Sequence, residues 1–316
     1  KLLPNVVVYL TQDSSQYHDA AYEKRDHELL EVWSKVAHHL AVYCYYGLGW
    51  FPPRVYTEYS ARTIPYLPTV SVKGFYCETY PYWAHTGPQL WLASRLLWDT
   101  SVDAKALLDE YYERMFGEVA AEMKEFYRII ESGWTTPREG KWFQGLDWLA
   151  EQLQQLPADA RDAAWKQINV ALASAQTDVT RARVTYVLNG NKLSYLLSKS
   201  FEEAHALLTE TGSLVSRLEH LLERVGEAVH VYRTKIETDK TYGHAYYQGE
   251  RGEVQIRWWM GHMATVVEDA IASAPDAPEA WECLKSDTTW QLMLESKEYP
   301  DVPRRIGESR PMYGVE

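Results

Sequence analysis

Val72-Lys73-Gly74-Phe75-Tyr76-Cys77-Glu78 is a short run of strand-forming residues closed by a carboxylate. Residues 72–77 read as a β-strand, and Glu78 stands at its C-terminal end. Two apolar runs of the same kind precede it, Val6–Leu10 and Leu40–Tyr46. Between the runs lie stretches of helical period. The first spans Tyr22–Val36, with Leu29, Leu30, Trp33 and Val36 on one face. A shorter one near Tyr56–Ile64 is cut by Pro65 and Pro68, and a third, Pro88–Trp98, carries Leu90, Leu92, Leu96 and Leu97. Strands alternating with helices read as βαβ units on a parallel sheet. Near-continuous apolar strands fit a sheet covered on both faces. A closed parallel barrel needs eight strands. The three seen here make either a small open sheet or the end of a larger one, and the start Lys1-Leu2-Leu3-Pro4, with no initiator Met and no signal peptide, favours the second. If the three strands stand alone, their unpaired edges must be covered by another chain or by the helical region.

After Trp98 the pattern turns helical. Asp103–Phe116 is amphipathic, with Asp99 or Ser101 as caps and Gly117 marking its end. Further helices are expected over Glu118–Glu131, Gly145–Gln155, Ala158–Ala175 and Thr180–Thr209, with a break at Asn189-Gly190-Asn191 and a loop over Gly133–Gly145. The cleanest is Gly212–Ile236, where Leu214, Leu218, Leu221, Val225, Val229, Tyr232 and Ile236 form a seam at 3–4 spacing, with Ser213 able to cap the start. Thr238–Arg257 reads as loop, Trp258–Ala272 as a last long helix, and the Pro-punctuated stretch from Pro275 as an irregular tail. The expected divisions are therefore 1–100, 101–274 and 275–316.

Composition narrows the function. The 316 residues carry 44 acidic against 32 basic side chains, a net charge of -12, which repels phosphate backbones and argues against a nucleic-acid partner. No run of about 18 apolar residues exists to span a membrane. Cys44, Cys77 and Cys283 form neither a disulfide framework nor a zinc spacing. A Cys44–Cys77 bridge is conceivable, but buried free thiols are the better reading. Tyr and Trp total 36 against 6 Phe, so the aromatic excess lies in rings that also hydrogen-bond.

Ligands of parallel α/β folds bind at the C-terminal ends of the strands. That rule selects Thr11–Asp19, Tyr45–Phe51 and Glu78–His85. Fifteen of the sixty residues from Ala41 to Thr100 are aromatic, which concentrates flat rings where the ligand rule points. Sugar rings present apolar C–H faces and a hydroxyl rim, and Tyr45, Tyr46, Trp50, Tyr82, Trp83 and His85 are the candidate substrate contacts. The competing reading is that these rings only fill space between helices and sheet. Glycoside cleavage uses two carboxylates, one of which holds a proton near neutrality. Glu78 is the candidate acid/base, against an ion pair with Lys73, Arg54 or Arg95. Asp13 is the candidate second carboxylate, against an ordinary helix cap or turn. His18 and His85 with Asp13 or Asp19 lack metal-ligand spacing, so no metal or other cofactor is expected.

In order along the chain, Pro4-Asn5-Val6-Val7-Val8, Trp33, Val42-Tyr43-Cys44-Tyr45-Tyr46-Gly47, Pro53-Arg54, Gly74-Phe75-Tyr76-Cys77-Glu78, Leu96-Leu97-Trp98-Asp99 and Tyr111-Tyr112-Glu113-Arg114-Met115-Phe116-Gly117 form a succession. Over about residues 4–133 that succession resembles the bacterial domain-of-unknown-function family 4838, linked to glycoside hydrolase family 163. The resemblance implies an α/β then all-α chain: the last three β/α units of a TIM-like (β/α)8 barrel, then a helical bundle domain. It further implies a glycoside hydrolase-like protein, of the endo-β-N-acetylglucosaminidase kind, acting on oligosaccharide or glycan outside the cytoplasm. The missing part of the barrel would come from the same or another chain. By position, Glu78 matches the family's acidic residue after the Gly-containing strand, and Tyr45 and Tyr46 match its aromatic strand end. Cys44 stands where relatives often carry an acid between the tyrosines. A non-catalytic glycan-binding relative is the alternative.

Overall fold

The computed structural model describes residues 2–46, 53–79, 83–141, 156–236 and 250–298. These residues are mixed α/β and mostly helical, and they fall into two compact units, one up to Asn191 and one from Lys192.

The first unit is built on three parallel strands, β1 (Val7–Gln12), β2 (His39–Tyr46) and β3 (Val72–Thr79), in the order β1-β2-β3. Tyr9 pairs with Ala41 and Thr11 with Tyr43, while Tyr43 pairs with Tyr76 and Tyr45 with Glu78. Helices α1 (Ala20–Ser34), α2 (Thr57–Tyr66) and α3 (Trp83–Trp98) follow the three strands in turn. Successive strand side chains point to opposite faces. Leu10, Val42, Cys44 and Tyr46 point one way and share a core with Leu30 of α1, Tyr59 and Ile64 of α2, and Leu92 and Leu96 of α3. All three helices therefore cover the same face. The expected two-sided cover is absent among the described residues: on the other face Val7, Tyr9 and Tyr76 are about half exposed. Cys44 and Cys77 are register partners on the helix-covered side, and both are free thiols.

Close approach explains Gly74. A Cβ there would sit 3.0 Å from that of its strand neighbour Ala41, at the irregularity between Leu40 and Ala41.

Helix α3 starts at Trp83, earlier than its sequence suggested, and takes Pro88 inside it. Helix α4 (Ala104–Phe116) is capped by Asp103, whose carboxylate accepts from the Lys105 amide; Asp99 instead ties the preceding turn at Ser101. Gly117 ends α4 with φ +51°, a conformation that favours glycine. Helix α5 (Ala120–Thr135) packs on α6 (Ala158–Ser174). Helix α7 (Asp178–Ala206) runs without a break, its residues to Asn191 belonging to this unit and the rest to the other. At the expected break Asn191 is buried and its amide donates to the Val187 carbonyl at 2.8 Å, so a residue that favours turns is satisfied inside the helix.

In the second unit α8 (Leu214–Val231) carries the expected seam: Leu214, Leu218, Leu221, Val225, Val229 and Tyr232 are all buried. Ser213 caps it by accepting from the Ser216 amide. After Val231 the chain widens to a π-turn, Tyr232–Ile236, rather than continuing as α-helix. Helix α9 (Glu250–Ala272) begins within the stretch expected to be loop. The start of the expected tail is likewise helical, as α10 (Ala277–Lys285) and α11 (Thr288–Lys297). Pro278 lies in the first turn of α10, where a missing amide hydrogen costs no helical bond. Among the described residues no helix is long and apolar enough to cross a membrane. The helix expected over 145–155 and the chain beyond 298 lie outside the described residues.

Candidate functional site

The uncovered sheet face carries the site. Period-2 alternation puts Tyr9 of β1, Tyr43 and Tyr45 of β2, and Tyr76 and Glu78 of β3 on it, opposite to the helices. Tyr43 sits diagonally across from Glu78, close enough for its Oη to donate to the carboxylate Oε1 at 2.5 Å. At this length it is a short O–H···O bond. The Tyr43 ring lies 4.6 Å from that of Tyr76 and 5.1 Å from that of Tyr45. The result is a contiguous platform of phenol rings around one carboxylate. The bond to Glu78 holds the Tyr43 proton and raises its pKa; burial and then the Glu78 charge do the same for Tyr45.

Asp13 is held differently. From Gln12 to His18 the chain after β1 is buried, although six of these seven side chains are polar. Burial on this scale requires partners, and a network supplies most of them, although Gln12 Oε1, His18 Nε2 and Arg54 Nε are buried without one among the described residues. Arg54 Nη2 lies 3.1 Å from Asp13 Oδ1 and 3.2 Å from Oδ2, and also donates to Ser15 Oγ. Ser15 Oγ donates to Asp13 Oδ1 at 2.6 Å, and the Trp134 ring lies 5.0 Å from the guanidinium. Asp13 and Arg54 are essentially without solvent exposure. The expected second carboxylate is held in a buried ion pair with Arg54.

The same loop is clamped by the segment after α5. The Gly140 amide donates to Asp19, which also caps α1, and the Lys141 amide donates to Gln16 Oε1. His18 Nδ1 lies 3.2 Å from the Arg138 carbonyl, and burial lowers its pKa to about 4. Glu131 of α5 supplies the cap that α2 lacks locally, accepting from the Glu58 amide at 2.9 Å and from the Thr57 hydroxyl.

The remaining candidates divide. Tyr45 is on the platform beside Glu78. Tyr46 points the other way into the helix-covered core, edge-on to Tyr56 at 5.6 Å and accepting from Ser60. His85 is buried within α3, where desolvation lowers its pKa to about 3. Trp83 is half exposed at the first residue of α3. Trp50 and Tyr82 lie outside the described residues. The residues missed from sequence are Tyr9, Tyr43 and Tyr76. Strand parity is the signal that finds them, since Tyr43 and Tyr45, like Tyr76 and Glu78, are two apart.

Residues 1–128, which include the whole sheet and its platform, match the family model described as Domain of unknown function (DUF4838). No curated protein and no solved structure matches the chain.

Proposed function

We propose that the tyrosine face around Glu78 handles carbohydrate, and that the protein is a glycoside hydrolase-like, glycan-acting protein with Glu78 as its acid/base. The match of residues 1–128 to a domain of unknown function leaves the activity open. The observation that carries the reading is the 2.5 Å bond from Tyr43 to Glu78 on an open face of tyrosine rings. Phenol rings offer flat apolar area to a sugar's C–H face with hydroxyls at the rim for its polar groups. A glutamate among them is the kind of group that, as the carboxylic acid, protonates a leaving glycosidic oxygen.

A (β/α)8 barrel is the fold we propose for these units. Three features support it: sequential parallel order, helices on one face only, and strands β1 and β3 with a neighbour on one side only among the described residues. Leu29 and Val32 on α1 and Leu97 and Trp98 at the end of α3 are exposed apolar residues, which further units of a barrel would cover. Closure would turn the tyrosine face inward.

Cleavage requires a second carboxylate within about 5–10 Å of the first. With Asp13 paired to Arg54, the hydrolase reading calls for a carboxylate other than Asp13. The Asp13–Arg54 pair is also the observation that favours the second reading, a glycan-binding protein without hydrolysis.

The test is turnover of aryl glycosides and N-glycans, endo-β-N-acetylglucosaminidase substrates first, alongside glycan-array binding. Wild-type turnover that Glu78→Gln abolishes while binding persists supports the hydrolase. Binding with no turnover supports the second reading. Neither binding nor turnover by the wild type, on a chain shown to be folded, removes both.

A further inference from the structure

We propose that Tyr43 is the positioning residue of Glu78, its hydroxyl setting the direction in which that carboxyl group meets the leaving oxygen of a glycoside. This role rests on the carbohydrate reading of the platform, since it aligns the acid/base of that same site. Tyr43 and Tyr45 lie on β2, and Tyr76 and Glu78 lie on β3. In the parallel register Tyr43 pairs with Tyr76 and Tyr45 with Glu78. The residue directly opposite Glu78 is therefore Tyr45. The 2.5 Å bond comes instead from the diagonal neighbour, Tyr43 Oη donating to Glu78 Oε1. Long aromatic side chains reach across such a diagonal.

The strands and rings hold the pair in place. Both residues sit within paired strands, which fix a side chain's origin better than loops do. The Tyr43 ring is flanked by Tyr45 at 5.1 Å and Tyr76 at 4.6 Å, which limits its swing. Tyr43 and Glu78 are both half-buried, so the platform stays open to a ligand. A carboxyl group held by its own side chain and at Oε1 has its plane set, and with it the direction of Oε2. While Tyr43 donates to Oε1, the proton that Glu78 transfers is carried on Oε2.

Tyr43 keeps its own proton throughout. The proton that moves passes from Glu78 to the leaving oxygen, which takes the electron pair of the broken bond to the anomeric carbon. A water supplies that carbon with a hydroxyl, and its other hydrogen balances the proton given up. Proton delivery of this kind depends on alignment, and a misplacement of about 1 Å costs on the order of 100-fold.

Tyr43→Phe in the whole chain tests the role, because it keeps the ring on the platform and removes only the hydroxyl. The measurement is kcat/KM on aryl glycosides of one sugar with graded leaving groups, from phenyl to dinitrophenyl. Phenolate needs the acid to leave, whereas dinitrophenolate departs without it. A loss of about 10–100-fold is expected for phenyl, shrinking to within about twofold for dinitrophenyl. An equal loss along the series, or no loss, overturns the positioning role and leaves the hydrolase reading standing. A folded wild type that turns over none of them removes both. The bond is also read without substrate, in ¹³Cζ spectra of labelled tyrosines at constant pH. Displacement of the Tyr43 signal in Glu78→Gln is expected, and an unmoved signal overturns the proposal. That reading decides where Tyr43→Phe fails to fold.

Discussion

Asp13→Asn separates a structural from a chemical role for the loop after β1. The substitution keeps size and shape but removes the negative charge from a guanidinium that is 2% exposed. Arg54 then keeps the Ser15 hydroxyl and the Trp134 face at 5.0 Å, but of the two carboxylate oxygens at 3.1 and 3.2 Å it keeps one, now uncharged, and faces an amide nitrogen in place of the other. A cation–π contact returns about 0.5–2 kcal/mol, whereas stranding one charge of a buried pair costs about 3–5 kcal/mol. The loss exceeds the compensation. It is a large share of the roughly 5–15 kcal/mol that holds a domain folded, and it lowers Tm by on the order of 6–20 °C. Urea unfolding followed by tryptophan fluorescence reads it directly. Adding Arg54→Met removes both charges and is expected to recover part of the loss, because the cost lies in the unpaired ion rather than in the missing bond. Asp13→Asn within about 0.5 kcal/mol of wild type would refute the reasoning. A variant of unchanged stability that lost glycoside turnover would return Asp13 to the catalytic role.

Val225→Asp puts a carboxylate on the buried seam of α8, where Val225 has no exposure, and should cost on the order of 3 kcal/mol or more; a neutral urea midpoint would show that the seam is not core. Gly74→Ala presses a Cβ to 3.0 Å from the Ala41 Cβ, a backbone-fixed atom that has no rotamer to yield. It should destabilise by about 1–3 kcal/mol, and a stabilised variant would mean that β2 and β3 are not paired in this register. Burial raises the Asp26 pKa to about 6, although the Tyr17 hydroxyl donates to its carboxylate. The native state then holds the Asp26 proton more tightly than the unfolded chain, whose carboxyl titrates near 3.9. Its contribution to stability is full below about pH 4 and is lost as pH rises through 6. Asp26→Asn should therefore be the more stable protein at pH 7, by about 1–2 kcal/mol after allowing for solvent screening of a half-buried group. The advantage should vanish at pH 4 in paired urea titrations, and equal differences at both pH values would contradict the assignment.

Local pattern determined a good part of this protein. The apolar runs at Val6–Leu10, Leu40–Tyr46 and Val72–Cys77 are strands because β-branched and aromatic residues suit the pleat, and helical stretches between them require parallel pairing. The 3–4 spacing from Leu214 to Tyr232, the Ser213 cap and the Gly117 stop hold within a few residues of chain and were legible for that reason. Other boundaries were not. Pro278 and Asn191 are ordinary breakers whose cost is absorbed by a first-turn position and a local partner, and the Ala84 carbonyl that Pro88 cannot serve accepts from the Tyr127 hydroxyl instead. Glu78 was visible as a carboxylate ending a strand, but its use by Tyr43 across 35 residues was not. Only the tertiary structure decided that Tyr45 faces the platform while Tyr46 faces the core, because the sheet's two sides differ only once all three helices have packed on one of them. The same holds for Asp13, read as a candidate catalyst until Arg54, 41 residues on, closes over it. A residue's type and spacing are properties of the chain, but whether its charge meets solvent or a counter-charge depends on which distant segment the crossovers bring alongside.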